Sequence, residues 1–219
     1  MKNMSKSKRY PLLVECNLDY LLFSKLKSRG LIPREIEILK GHKGKNFAIN
    51  KGVPNLLNVF PSVYVAIDLN HHTTEEELVD SIAKKLNNIS TPSGKHFHVV
   101  KVSGNIIKIN VKNRKEEQKL LYVIPLGILN SQKLQSFRVN QHMVEDYYVE
   151  ALFQVKAKEL KRKKFKGNFQ TSKKLLNEIL ENLGVLDEPE DYLANILEKC
   201  ELDRIAANII QKVKDKPEI

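Results

Sequence analysis

The sequence predicts an α/β protein: a mostly parallel sheet with helices on both faces, followed by a C-terminal helical extension. Three observations carry that reading. Short apolar, β-branched runs alternate with helical patterns up to about residue 89, the rhythm of strands joined by crossover helices. Two of those runs end in a carboxylate, Glu15 and Asp68. From Met143 onward the apolar spacing is helical almost throughout.

Taken in order, "PLLVE" (11 to 15) is a buried strand ending in an acid. Leu18, Leu21, Leu22 and Leu26 then recur at helical spacing, with Asn17 as N-cap candidate and Gly30 as the stop. "EIEIL" (35 to 39) alternates as a strand, and "KGHKGKNFAINKG" reads as a glycine- and lysine-rich turn before a short helix through "VPNLLNVF". "SVYVAIDLN" (62 to 70) is the third strand. "TTEEELVDSIAKKLNNI" opens a helix with Thr73 and Thr74 as cap candidates and three glutamates where they suit the helix dipole. "HFHVVKVSGNIIKINVKN" is a hairpin across "SGN", and "LLYVIPLGIL" is a further buried strand stopped by Pro125. Helices are expected over 143 to 164, 171 to 183, 190 to 199 and 201 to 214. The chain therefore divides into a basic N-terminal tail (1 to 10), an α/β domain (11 to 155) and a helical extension with a basic segment (156 to 219).

A hydrophobic fraction of 42% supports a core rather than disorder. No apolar run approaches the ~20 residues of a membrane span, and the first ten residues lack a signal-peptide core, so a cytoplasmic protein without a membrane partner is expected. Cys16 and Cys200 offer neither a disulfide framework nor zinc-ligand spacing. The net charge of +11 favours a polyanion such as nucleic acid, although Lys and Glu also rise together in heat-adapted proteins. The excess is local: residues 158 to 174 are almost wholly basic and residues 187 to 203 acidic. Lys156, Lys158, Lys161, Arg162, Lys163, Lys164 and Lys166 form a strip suited to a phosphate backbone, or a solvated face. Tyr147, Tyr148, Phe165 and Phe169 around it either stack on bases or pack the helix onto its domain.

Ligands of open parallel sheets collect beyond the carboxyl ends of the strands. Glu15 and Asp68 stand at two such ends, and Asp19 lies one helical turn beyond Glu15. Hard divalent cations such as Mg²⁺ take one or two carboxylates together with phosphate and water, so these acids are metal-ligand candidates; each alone is also a common strand-end or helix-start residue. Lys45 and Asn46, in a turn with Gly41 and Gly44, could meet phosphate or form a simple solvated loop, and the string is not a Walker A loop. His71 and His72 are adjacent and cannot both aim easily at one ion, and His96 and His98 lack zinc partners. Ser103 and Ser131 have no His-Asp partner legible in sequence.

Four segments together resemble the Toprim domain, the metal-binding α/β module of topoisomerases, primases and some nucleases. "LLVECNLDYLLFSKL" is similar to its first signature, an apolar strand followed by Glu, Gly, two variable residues and Asp. "VYVAIDLN" is similar to its second, a strand ending Asp-x-Asp. "LKGHKGKNFAINKGVPNLL" resembles the Gly-Lys-Asn turn of small Toprim-related proteins, and "NQHMVEDYYVEALF" (140 to 153) their later helix opening with Glu-Asp. The resemblance spans about residues 11 to 155. It implies that Glu15 serves acid–base chemistry or binds metal and that Asp68 is the principal metal ligand. Asp19, Glu145 and Asp146 are then accessory acids, and Mg²⁺ (or Mn²⁺) is the cofactor. Two departures stand out. Cys16 replaces the usual glycine, and Asn70 replaces the second aspartate, keeping a carbonyl oxygen but removing a charge. The expectation is a metal-dependent phosphoryl-transfer or nuclease-like protein, a phosphodiester hydrolase acting on nucleic acid or nucleotides. The alternatives are a non-catalytic nucleic-acid-binding protein and a protein-interaction scaffold.

Overall fold

A computed structural model describes residues 9–41, 44–89, 96–112, 116–163, 165, 168–185 and 187–214. It is α/β. The strands are β1 (Tyr10–Val14), β2 (Ile36–Lys40), β3 (Ser62–Asp68), β4 (His96–Ser103), β5 (Ile106–Lys112) and β6 (Glu116–Leu126). They form one six-stranded sheet in the order β2-β1-β3-β6-β5-β4. β2, β1, β3 and β6 run parallel, and β5 and β4 continue the sheet antiparallel. The helices are α1 (Asn17–Ser28), α2 (Gly44–Phe47), α3 (Val53–Val59), α4 (Glu75–Asn87), α5 (Gln132–Ser136), α6 (Glu145–Val155), α7 (Ala157–Leu160), α8 (Ser172–Asn182), α9 (Pro189–Lys199), α10 (Leu202–Ile205) and α11 (Ala207–Lys214). None of the described helices is long and apolar enough to cross a membrane.

Strands buried on both faces read as continuous apolar runs, and the period of two decides which residue meets which layer. Leu12 and Val14 of β1, Tyr64 and Ala66 of β3, and Tyr122, Ile124 and Leu126 of β6 face one core. That core is completed by α1, α6 and the C-terminal helices through Leu22, Tyr148, Leu175, Leu197 and Ile209. Leu13, Val63, Val65, Ile67, Leu121 and Val123 face the other core, closed by Ile49, Val53 and Leu57 and by Leu78, Ile82 and Leu86 of α4. The C-terminal helices thus fold back onto the sheet and share its core. Tyr64 and Tyr122 stack at 4.6 Å between ring centres, with Tyr10 edge-on to Tyr64 at 6.3 Å.

Several local readings change. Cys16, in extended conformation, is the N-cap of α1, and Asn17 is its first helical residue. The stretch read as a turn is largely helical: α2, a five-residue π-helical segment Ala48–Gly52, and α3 follow one another without a break. Pro54 has no N–H to return to the preceding turn, which is where the regular ladder must change. The helix predicted over 143 to 164 breaks at Lys156 into α6 and α7.

Pro125 does not stop β6, which continues through it opposite Ile67. Leu120 N–H donates to Pro61 and Val123 N–H to Asn105. Odd-numbered nitrogens of β6 therefore face the hairpin, and Pro125 lies beyond the hairpin's last pair with β6, Ile106 with Tyr122. A missing donor there removes no ladder bond.

One glycine fixes the loop beyond β2. Gly41 N–H donates to Val14 O at 2.7 Å, and a Cβ at Gly41 would lie 2.5 Å from that oxygen. The Gly41→Ala variant must push the loop off the end of β1. It is expected to cost about 2 kcal/mol, seen as a fall of roughly 4–8 °C in thermal midpoint.

Candidate metal centre

β1 and β3 are parallel neighbours with Leu13 beside Val65, so their carboxyl ends lie together. Glu15 follows β1 and Asp68 closes β3. Asp68 N–H donates to Glu15 Oε1 at 3.2 Å, which locks the two acids into one arrangement. Asp68 Oδ1 in turn accepts the Val144 N–H at 2.8 Å, tying it to the entry of α6. Asp19 is fully buried in the first turn of α1. Its Oδ2 accepts the N–H groups of Glu15 at 2.8 Å and Cys16 at 3.0 Å, closing the start of the helix from within. Glu145 is the first residue of α6 and is buried as well.

The electrostatics follow from that crowding. Burial, then the charge of Asp19, pushes Glu15 up to about 7, against the Asp68 N–H and Lys45. Burial raises Asp19 to about 6, opposed by the N–H groups of Cys16 and Glu15. Asp68 is held well above the usual carboxylate range by burial and by Asp19, Glu15 and Glu145. Glu145 is raised by burial, with Lys173 pulling the other way. Lys45 approaches from the start of α2; burial lowers its pKa while Glu15 and Asp68 raise it. Such a cluster holds its protons or a cation near neutral pH. Cys16 is pushed up to about 12 by burial and Asp19, so it is a thiol and not a nucleophile at neutral pH.

Asp146 departs from this group. Side chains of consecutive helical residues diverge, and Asp146 Oδ2 accepts the Ile128 N–H and faces His142 Nδ1, each at 2.7 Å. The structure spends it on holding the segment before α6 against the turn after β6. Gly127 makes that closeness possible: its φ is +141° and a Cβ would lie 2.7 Å from His142 Cβ. Asn70 has a left-handed backbone (φ 53°), which asparagine tolerates better than most residues. Its N–H donates to His142 O at 2.7 Å, and its amide nitrogen turns back to the Asp68 carbonyl at 3.3 Å.

His142 was not among the sequence candidates, although its four-residue spacing from Asp146 was a usable signal. Among the described residues no three His, Cys, Asp or Glu side chains are arranged to close around one ion. Asp19 Oδ1 is nonetheless a buried oxygen with no hydrogen-bond partner among the described residues.

Asn46 is exposed beside Lys45. In the basic strip, Lys158, Lys161, Arg162 and Lys163 are exposed, while Lys156 pairs with Glu159 at 2.8 Å. Lys164 and Lys166 lie outside the described residues. The aromatic residues near the strip do not present stacking faces. Tyr147 and Tyr148 are fully buried, their hydroxyls meeting Gly127 and Asn208, and the Leu18 carbonyl. Phe165 and Phe169 pack edge-on to Phe137 at 5.5 and 6.2 Å.

An open cavity of about 460 Å³ adjoins the carboxylates, bordered by Glu15, Leu18, Glu145, Lys173, Leu176 and Asn177. Lys173 and Asn177 come from the C-terminal helices, and only the folded chain reveals that they belong here. Models of known protein families, curated proteins and solved structures were all compared with this chain, and none matches it.

Proposed function

We propose that the protein is a Mg²⁺- or Mn²⁺-dependent phosphoryl-transfer enzyme acting on nucleic acid or nucleotides, a phosphodiester hydrolase. The observation that carries this reading is the Glu15–Asp68 pair, joined by the Asp68 N–H at the carboxyl ends of adjacent parallel strands and raised in proton affinity by burial and shared negative charge. The donors are hard oxygens, which suit Mg²⁺ or Mn²⁺ rather than zinc. The buried, unpartnered Asp19 oxygen behind them adds to the demand for positive charge. Asp68, with Glu15, would hold the ion; water and substrate phosphate would complete its shell. A bound ion would supply neutralisation of charge at the phosphate oxygens.

The remaining roles belong to the chain. Where Asp68 alone holds the ion, Glu15, raised to about 7 in the metal-free chain, is placed to exchange a proton at the pH where general acid–base groups work best. Asp19 fixes it by accepting its backbone N–H. Lys45 places a cation beside both acids. The motif order that resembles Toprim domains points the same way. A second reading, nucleic-acid binding without catalysis, draws on the Asn70 amide being turned to the Asp68 carbonyl and on the exposed cations Lys158, Lys161, Arg162 and Lys163.

Calorimetric titration of Mn²⁺, with and without a short single-stranded oligonucleotide, tests the first reading. Saturable binding that tightens with the oligonucleotide is expected, with cleavage of the strand in parallel. No Mn²⁺ binding under either condition leaves the second reading in its place.

A further inference from the structure

We propose that the cavity beside the carboxylates is a binding site for a single nucleotide unit, with Lys173 taking its phosphate and Leu18 and Leu176 enclosing its base. The inference deepens the metal-dependent reading and rests on it for the neighbouring chemistry. The volume of about 460 Å³ falls in the range of small-ligand sites and admits one nucleotide, not a duplex.

The lining is mixed in chemistry: the acids Glu15 and Glu145 and the cation Lys173, the apolar Leu18 and Leu176, and the amides Asn17 and Asn177. Apolar walls accept the faces of a base, and an amide offers both a donor and an acceptor to its edge. Three helices of eleven or twelve residues, α1, α6 and α8, begin at this cavity. Their N-terminal ends add positive potential that favours a phosphate. Lys173 lies close enough to Glu145 to lower its proton affinity, which puts a cation beside the acids.

Glu15 and Glu145 repel a phosphate unless protons or a divalent ion offset them, and nucleotide affinity should therefore rise with Mn²⁺. Lys173, Leu176 and Asn177 all come from α8, which assigns the C-terminal helices to substrate choice as well as to the core.

The test is calorimetry of AMP against the full chain in Mn²⁺ and in EDTA, with Lys173→Glu and Asn177→Trp. Both positions are exposed, and thermal melting of each variant checks that it folds. Each variant should weaken AMP binding at least about tenfold, the size of one lost charge-assisted contact, with Mn²⁺ binding retained. AMP binding that is absent in both buffers, or equal in wild type and both variants, overturns the site. Inorganic phosphate binding as tightly as AMP overturns the base wall. If wild type binds no Mn²⁺ but binds AMP in EDTA through Lys173, the nucleotide site stands and the metal reading fails.

Discussion

Exchanging Asp68 for asparagine is expected to abolish divalent-cation binding and lower turnover about a thousandfold, while the metal-free protein stays as stable as wild type or becomes more so. Asp68 Oδ1 accepts the Val144 N–H at 2.8 Å, a bond that an amide oxygen can keep. What asparagine loses is the charge. In the metal-free protein that charge is disfavoured by burial and by Asp19, Glu15 and Glu145, so its loss relieves repulsion. On the proposed reading it would be the main attraction for the ion. Lewis-acid stabilisation of phosphoryl transfer is worth several kcal/mol, and about 1.4 kcal/mol is a factor of ten in rate. The Asp68→Ala variant separates the two roles, because it also leaves the Val144 N–H without its acceptor, at a cost of about 1–3 kcal/mol. Melting curves in EDTA together with Mn²⁺ titrations read both effects. An Asp68→Asn protein that binds Mn²⁺ like wild type would remove Asp68 from the centre.

The elements were legible where local pattern and tertiary burial agree. The two strand-end acids could be found because strand runs are bounded in sequence and ligands gather at their carboxyl ends. Their direct contact through the Asp68 N–H could not, since it depends on β1 and β3 being neighbours in register. Glu145 and Asp146 look alike in sequence, but one borders the cavity and the other is turned to Ile128 and His142. Helical spacing says that consecutive residues diverge and does not say which way the helix is rotated.

Tyr147 and Tyr148 stood near a basic strip in sequence and are core residues in space. A helix start gave no hint that both would face inward. Lys173 was hidden among a run of lysines; only the return of α8 to the sheet sets it apart from Lys161 or Arg162. Pro125 reads as a strand stop because composition cannot show that the neighbouring hairpin ends three residues earlier, at Tyr122.

The second large effect concerns pH. Glu15 rises from an ordinary 4.5 to about 7 in the folded chain. The native state therefore binds this proton more tightly than the unfolded state does, and stability falls as pH rises through the window from 4.5 to about 7. The contribution is fully present below the lower value and lost above the upper one. A shift of that size corresponds to about 3 kcal/mol between acid and mildly alkaline buffer. Asp19, raised to about 6, works in the same direction.

The Glu15→Gln variant in EDTA should match wild type near pH 5 and exceed it near pH 8, since glutamine can still accept the Asp68 N–H without carrying a charge. Denaturant unfolding at the two pH values measures this. A variant with the full wild-type slope would assign the titration to Asp19 and Asp68 instead. Adding Mn²⁺ should flatten the wild-type slope, because an ion bound by the ionised acids displaces their protons, and should flatten the variant's slope less. On the proposed reading, burial of one carboxyl group lowers stability at neutral pH in the metal-free chain and favours a divalent ion that would offset its charge.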